Sequence, residues 1–106
     1  VIEMAGVVRV GDSHAGICDH GLVCCPHIVT GTFIEGSPNV LVNGKGVVRQ
    51  GDAVEHNCPH CGTGTAEGSD STVLVNGKPV QRVGDKVVYE GGSGVATGGS
   101  EDVSAG

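Results

Sequence analysis

The segment VLVNGKGVVRQGD at residues 40–52 sets the architecture of the chain, because it recurs as VLVNGKPVQRVGD at residues 73–85, an offset of 85 − 52 = 33. In both copies an Asn-Gly pair lies between short apolar runs. A two-residue Asn-Gly loop with both residues at positive φ is the preferred connection of a type I′ hairpin. The sequence therefore predicts β-hairpins at 40–48 and 73–82. Their turn residues are Asn43, Gly44, Asn76 and Gly77.

A third copy emerges when the two ends of the chain are taken together. The opening VVRVGD at 7–12 matches the second half of the repeated unit, and GSEDV at 99–103 matches its first half, GSPNV at 36–40. If the first strand pairs with the last, three similar units close into a ring that covers their exposed edges. We expect one all-β domain over 1–106, with pseudo-threefold symmetry.

The composition limits how this domain can be stabilised. The 106 residues include 20 glycines but only one Phe, one Tyr and no Trp. Apolar residues alternate or come in short runs, and no stretch shows a helical period. A core this small and this poor in aromatic side chains needs an additional constraint besides its packing.

Charge and hydropathy exclude several classes of protein. The net charge is −6 without a basic cluster, which argues against a nucleic-acid partner. No apolar stretch is long enough for a transmembrane helix, and the first residues lack the pattern of a signal peptide. We therefore expect neither a membrane span nor a secretory signal.

All five cysteines and all five histidines lie in the two excursions that follow the first two Gly-Asp pairs. The symmetry would bring both excursions to one end of the body. Four Cys or His ligands that converge there would form a closed tetrahedral Zn²⁺ site. The leading candidate ligands are His20, Cys25, His27, His56, Cys58 and His60, and the further candidates are Cys61, Cys18, Cys24 and His14.

Other interpretations of these residues stay open. Cys58 and Cys61 have the spacing of a redox pair, but that chemistry needs a helix after a strand. The odd number of cysteines favours metal ligands or free thiols in a reducing compartment over a complete set of disulfides. Two zinc ions are also conceivable. The repeated Gly-Asp pairs could suggest carboxylate catalysis or Ca²⁺ binding, but their position at strand ends favours turns capped by Asp.

The repeated units, the opening VVRVGD and the loops CDHGLVCCPH and HNCPHC resemble those of PAAR-repeat proteins, over residues 7–103. This resemblance implies a small cone of β-hairpins, with zinc held by His and Cys near a sharp vertex. It further implies that the broad base caps a trimeric β-helical spike of a contractile injection machine, either a phage tail or a type VI secretion system. The vertex would then meet the target membrane first.

One feature departs from the family. Many members carry a Cys in the last excursion, where this chain has YEGG at 89–92, so all zinc ligands must come from the first two excursions. We also expect His14 to affect stability less than His27 or His60, because it lies outside the repeated motif.

The sequence thus predicts a non-enzymatic spike tip, one copy per spike trimer, that pierces a cell envelope. It would be located at a virion tail tip or leave the bacterial cytoplasm as part of the injection machine. The main rival is a zinc-stabilised binding or adaptor module without a piercing role.

Overall fold

A computed structural model describes residues 5–18, 27–57, 63–68 and 73–105. These residues contain no helix and form short strands, as the sequence predicts. The strands are β1 (Ala5–Gly6), β2 (Ser13–Cys18), β3 (His27–Phe33), β4 (Leu41–Val42), β5 (Lys45–Gly46), β6 (Ala53–His56), β7 (Gly64–Ala66), β8 (Leu74–Val75), β9 (Lys78–Pro79), β10 (Lys86–Tyr89), β11 (Gly92–Ala96) and β12 (Ser104–Ala105).

The two ends of the chain complete the third unit. Strand β1 pairs antiparallel with β12, in the same way as β4 pairs with β5 and β8 with β9. At the centre, the Val8 N–H donates to the Gln81 carbonyl (3.0 Å), the Val48 N–H to the Val8 carbonyl (2.9 Å) and the Gln81 N–H to the Val48 carbonyl (2.9 Å). This cyclic set of bonds surrounds a pseudo-threefold axis and confirms the predicted ring closure.

Both predicted hairpins have the expected turn. Asn43 and Asn76 each have φ 54°, and Gly44 and Gly77 have φ 78° and 79°, which is the backbone of a type I′ turn. The paired strands are shorter than the predicted ranges of 40–48 and 73–82. Beyond them the chain bridges to a neighbouring unit, with Val47 opposite Arg9 and Val80 opposite Arg49.

Each Gly-Asp pair closes a turn that an arginine three residues earlier stabilises. The Asp12 Oδ2 atom accepts from the backbone N–H of Arg9 at 2.8 Å and from its Nε at 2.9 Å. Arg49 with Asp52 and Arg82 with Asp85 repeat both bonds. Burial raises the pKa of Asp12, but the Arg9 hydrogen bonds outweigh it and the net shift is downward. The structural interpretation of these aspartates is confirmed, and their arginine partners are an addition.

Six strands form a closed barrel in the order β10-β11-β2-β3-β6-β7, with every adjacent pair antiparallel. Strands β2, β6 and β10 finish at Cys18, His56 and Tyr89, all at one end, which we call the vertex end. The three hairpins and the central bridges connect to the opposite end and form the base. Both ligand-bearing excursions therefore leave the barrel at the same end, as predicted.

A glycine in each unit lets the barrel be narrow. A Cβ on Gly31 would overlap the Glu55 carbonyl oxygen, and one on Gly94 would overlap the Ala15 carbonyl oxygen. At the matching position Gly64, a Cβ would lie 2.7 Å from Val54 Cγ2. Neighbouring strands approach each other too closely here for any side chain, so the interior holds few large residues.

Two clusters of buried side chains follow from this division. The barrel cluster comprises Val8, Cys18, Val29, Phe33, Val48, Val54, Ala66, Val87, Tyr89 and Ala96. The base cluster is smaller and comprises Val7, Val47, Val75, Val80 and Ala105. The single Phe and the single Tyr of the chain both lie in the barrel, so its packing depends on individual large side chains.

Candidate metal centre at the vertex end

The structure locates two of the predicted ligands. His56 is the last residue of β6 and is half-buried, while His27 is the first residue of β3, directly opposite Cys18. His56 lies opposite Gly31 of β3, four residues after His27, so His27 lies nearer to the vertex end of the barrel than His56 does. The leading candidates outside the described residues are His20, Cys25, Cys58 and His60, and the further candidates outside them are Cys24 and Cys61.

The chemistry of this end fits a metal, although the ligand set stays a prediction. Strands β3 and β6 place residues 27 and 56, both histidines in the sequence, at the same barrel end, and both Cys- and His-bearing excursions depart from it. Such soft and borderline donors suit Zn²⁺. Within the described ranges, no cluster of three or more His, Cys, Asp or Glu side chains could by itself hold an ion.

Cys18 corrects one expectation. The sequence makes it a candidate metal ligand or free thiol, but it is fully buried and disulfide-bonded. The other four cysteines lie outside the described residues. Cys18 is buried because it is the last residue of β2 and its side chain packs in the barrel cluster.

His14 is a core residue of the barrel, although it lies outside the repeated motif; its expected smaller effect on stability than His27 or His60 stays a prediction. Its side chain is only 1% exposed. Nε2 lies 2.7 Å from the Glu55 carbonyl oxygen, and Nδ1 lies 2.7 Å from the Tyr89 hydroxyl. Because a carbonyl can only accept, Nε2 carries the hydrogen, and the Tyr89 hydroxyl donates to Nδ1. The two residues thus fix each other's orientation inside the barrel.

Burial keeps this pair uncharged. Desolvation lowers the pKa of His14, and the hydrogen bond to the Glu55 carbonyl only partly opposes it. Desolvation also raises the pKa of Tyr89 to about 12. At neutral pH, a neutral imidazole therefore accepts from a neutral phenol, which is the protonation state that the geometry requires.

Aromatic contacts extend the pair in both directions along the barrel, to His56 towards the vertex end and to Phe33 towards the base. The ring centroids of His56 and Tyr89 are 5.4 Å apart with planes at 64°, and His14 meets Phe33 edge-on at 5.4 Å. Sequence reasoning treated Tyr89 only as a place where a ligand is missing. Its position four residues after Asp85, matching His56 four residues after Asp52, was the signal that could have revealed its role.

The base carries a second surface with threefold character. Val40, Val73 and Val103 occupy matching positions in the three units, and all are exposed. Beside them, Leu41 and Leu74 are 58% and 59% exposed, and Ser104 takes the third position. Exposed apolar side chains in one ring are typical of a protein interface.

The predicted turn residues also join the units at the base. The Arg9 Nη1 atom donates to Asn43 Oδ1 at 3.0 Å, and Ser100 Oγ donates to the same oxygen at 2.7 Å. Asn76 accepts from Arg49 and Ser37 at the same distances of 3.0 Å and 2.7 Å. Each asparagine therefore has two functions: it forms the turn and it anchors a neighbouring unit.

Comparison with known proteins adds one positive finding. The family model described as PAAR motif matches residues 1–61. No curated protein matches the chain. In the part of the chain that the structure describes, no helix has the length and apolar character required to cross a membrane.

Proposed function

The chain belongs to the PAAR motif family, and we propose on this premise that it caps and sharpens a trimeric β-helical spike and helps the spike to pierce a cell envelope. Family membership indicates a spike-tip protein of a contractile injection system. That role is structural and requires no catalytic group. One chain would sit on each spike trimer.

The observation that carries this proposal is the pseudo-threefold base. The cyclic hydrogen bonds among Val8, Val48 and Gln81 give the monomer three similar sides around one axis. A trimer presents three identical chain ends around its own axis, so a single monomer of this kind can contact all three. The exposed valines of the base would supply apolar contacts, and the short edge strands could add backbone hydrogen bonds.

Co-purification tests the stoichiometry. The chain should be produced together with a trimeric β-helical protein encoded beside it, and the mass of the complex should be measured. We expect one copy of the chain per three spike chains. A complex with three copies, or a homotrimer of the chain alone, would contradict the proposal because the three units would then not act as one threefold surface.

Paired substitutions test the docking surface. Leu41→Asp combined with Leu74→Asp places two charges on the base and should abolish binding to the spike while the fold remains intact. Ile28→Asp is the matched control, since Ile28 is 73% exposed on β3 near the vertex end. Equal losses of binding in both variants would exclude the base as the docking surface.

We further propose that Zn²⁺ binds at the vertex end through ligands drawn from the leading candidates, which are His20, Cys25, His27, His56, Cys58 and His60. When bound, zinc would cross-link the two excursions that leave the barrel there, and a cross-linked tip resists deformation on impact. Elemental analysis of protein purified without chelator should give about one equivalent of zinc, as a closed four-ligand site holds a single ion. Protein that contains no zinc, or iron in its place, would refute this part of the proposal.

The piercing role separates the spike tip from the rival adaptor module. Chelated protein should still dock on the spike through the base but should puncture envelopes less well, because only the vertex depends on zinc. Undiminished puncture after chelation would favour the adaptor interpretation.

A further inference from the structure

We propose that Tyr89 is the residue that positions His56 for zinc at the vertex end. The proposal rests on the zinc site described above. It assigns a function to the third excursion, whose Tyr89 occupies the position that matches His56 in the second unit.

A closed circuit of contacts begins and ends at two adjacent residues. The Glu55 carbonyl accepts from His14 Nε2, His14 Nδ1 accepts from the Tyr89 hydroxyl, and the Tyr89 ring meets the His56 ring at 5.4 Å. Glu55 precedes His56 directly on β6. The circuit therefore holds the backbone at residue 55 through a hydrogen bond and the side chain at residue 56 through a ring contact.

The surroundings of Tyr89 leave it little freedom. Its side chain belongs to the buried barrel cluster, and a Cβ on Gly94 would lie 2.7 Å from its hydroxyl oxygen. On β7, Gly64 is paired with Tyr89, and a Cβ there would lie 3.0 Å from the ring. Two glycines therefore provide the space that the tyrosine fills. A ring confined in this way can fix the plane of the adjacent imidazole.

This arrangement explains how an unsymmetrical site can exist in a threefold scaffold. At the fourth position after each Gly-Asp pair, the three units carry Gly16, His56 and Tyr89. The first unit has no side chain at this position, the second has the imidazole donor, and the third has the tyrosine ring that contacts this imidazole. Removing a group that orients a metal-bound histidine typically lowers metal affinity by roughly 10–100-fold.

Zinc affinity of three full-length proteins tests the role. Tyr89→Leu removes both the ring and the hydroxyl, and we expect zinc affinity, measured by competition with a chromophoric chelator, to fall about tenfold or more. Phe33→Leu is the matched control, because Phe33 is also buried and contacts His14 but lies outside the circuit. It should lower thermal stability through altered core packing, while its zinc affinity stays closer to that of the wild type than to that of Tyr89→Leu.

Tyr89→Phe provides a milder variant that should fold. It keeps the ring against His56 and loses only the hydroxyl that His14 holds, so its zinc affinity should lie between those of the wild type and Tyr89→Leu. The visible absorption of the Co²⁺-substituted protein should shift in the same order. Long-range ¹H–¹⁵N correlations of the His56 ring in the zinc-free protein would show the altered orientation directly.

The outcomes are distinguishable. If Tyr89→Leu and Phe33→Leu weaken zinc binding equally, or if neither does, Tyr89 is only a packing residue and the inference is overturned. Unchanged zinc affinity and unchanged His56 resonances in Tyr89→Phe would overturn the role of the hydroxyl. If the wild-type protein binds no zinc, the zinc part of the proposed function fails and the role of Tyr89 fails with it.

Discussion

The base and the vertex half of the barrel are built from the same three units, but they retain the symmetry to different extents. At the base, the Arg-Asp pairs and the central hydrogen bonds recur in all three units. In the barrel, the second position after each Gly-Asp carries His14, Val54 and Val87, and all three are buried. Symmetry is thus kept where a trimeric partner would dock and lost where individual side chains form specific contacts.

The difference follows from the kind of interaction in each region. The base is held mainly by backbone hydrogen bonds and by ion pairs within a single turn, which tolerate changes such as Val48 to Gln81 between units. The barrel interior depends on the identity of single large side chains such as His14, Phe33 and Tyr89. The two regions should therefore respond differently to perturbation.

Removal of zinc should produce the largest difference in stability between the base and the vertex end, because structural zinc contributes roughly 10–16 kcal/mol to the folding free energy of small zinc modules. On chelation we expect amide protection to fall first across residues 14–30 and 54–64, which contain both ligand-bearing excursions. The hairpins at 40–48 and 73–82 should keep their protection. Hydrogen exchange read by mass spectrometry, with and without chelator, measures this order. Simultaneous loss in the hairpins would mean that the metal holds the whole fold.

Asp52→Ala should give the largest loss from the base, because removing one partner of a buried ion pair costs about 3–5 kcal/mol. The Asp52 side chain is 2% exposed, whereas that of Asp12 is 10% exposed in the equivalent pair. Asp12→Ala should therefore cost less, and urea unfolding of both variants compares the units. A greater loss from Asp12→Ala would show that burial does not rank the three pairs.

His14→Leu tests the barrel interior at neutral pH. It leaves the Tyr89 hydroxyl and the Glu55 carbonyl without their His14 partner, which costs about 1–3 kcal/mol for each group that stays unsatisfied. Thermal unfolding at pH 7.5 measures the loss. A variant as stable as the wild type would show that the polar circuit does not contribute to stability.

Because burial lowers the pKa of His14, the stability of the protein should depend on pH. The folded-state pKa of His14 is lowered, so the unfolded chain binds a proton near its ordinary pKa of about 6.5 while the folded chain does not. The contribution of neutral His14 is therefore complete above that pH and decreases as the pH falls towards the folded-state value. The stability difference between wild type and His14→Leu should shrink between pH 7.5 and 5.5. Because His56, Glu55 and Tyr89 are present in both proteins, their own titrations largely cancel in this stability difference. A stability difference that does not change with pH would contradict the lowered pKa of His14.

The smallest of these effects is expected at a hairpin turn. Asn76 has φ 54°, and a residue with a Cβ and no local hydrogen bond pays about 1–2 kcal/mol in this conformation. Asn76→Ala should therefore lower stability by that amount plus the lost contacts with Arg49 and Ser37. Asn76→Gly removes the same contacts without the backbone cost. Equal stability of the two variants would show that side-chain contacts alone matter at this position.

The hairpins, the three units and their closure were predictable from the order of the residues alone. Type I′ turns depend on adjacent Asn and Gly residues, so Asn43-Gly44 and Asn76-Gly77 were sufficient to place them. The 33-residue repeat located the third unit in the two chain ends, and the β1–β12 pairing confirmed it. The Arg9–Asp12 pair and its two equivalents could also have been inferred, because their partners lie three residues apart on one turn.

Which residues share the barrel interior depends on how the strands pair in the folded barrel. His14 and Tyr89 are 75 positions apart, and His14 and Glu55 are 41 apart, so no local pattern relates them. Their contacts depend on the register of six antiparallel strands and on glycines that let those strands approach closely. A shift of one residue along a strand would turn each side chain to the opposite face of the barrel. For this reason the circuit around His56 follows from the closed barrel and not from the sequence pattern.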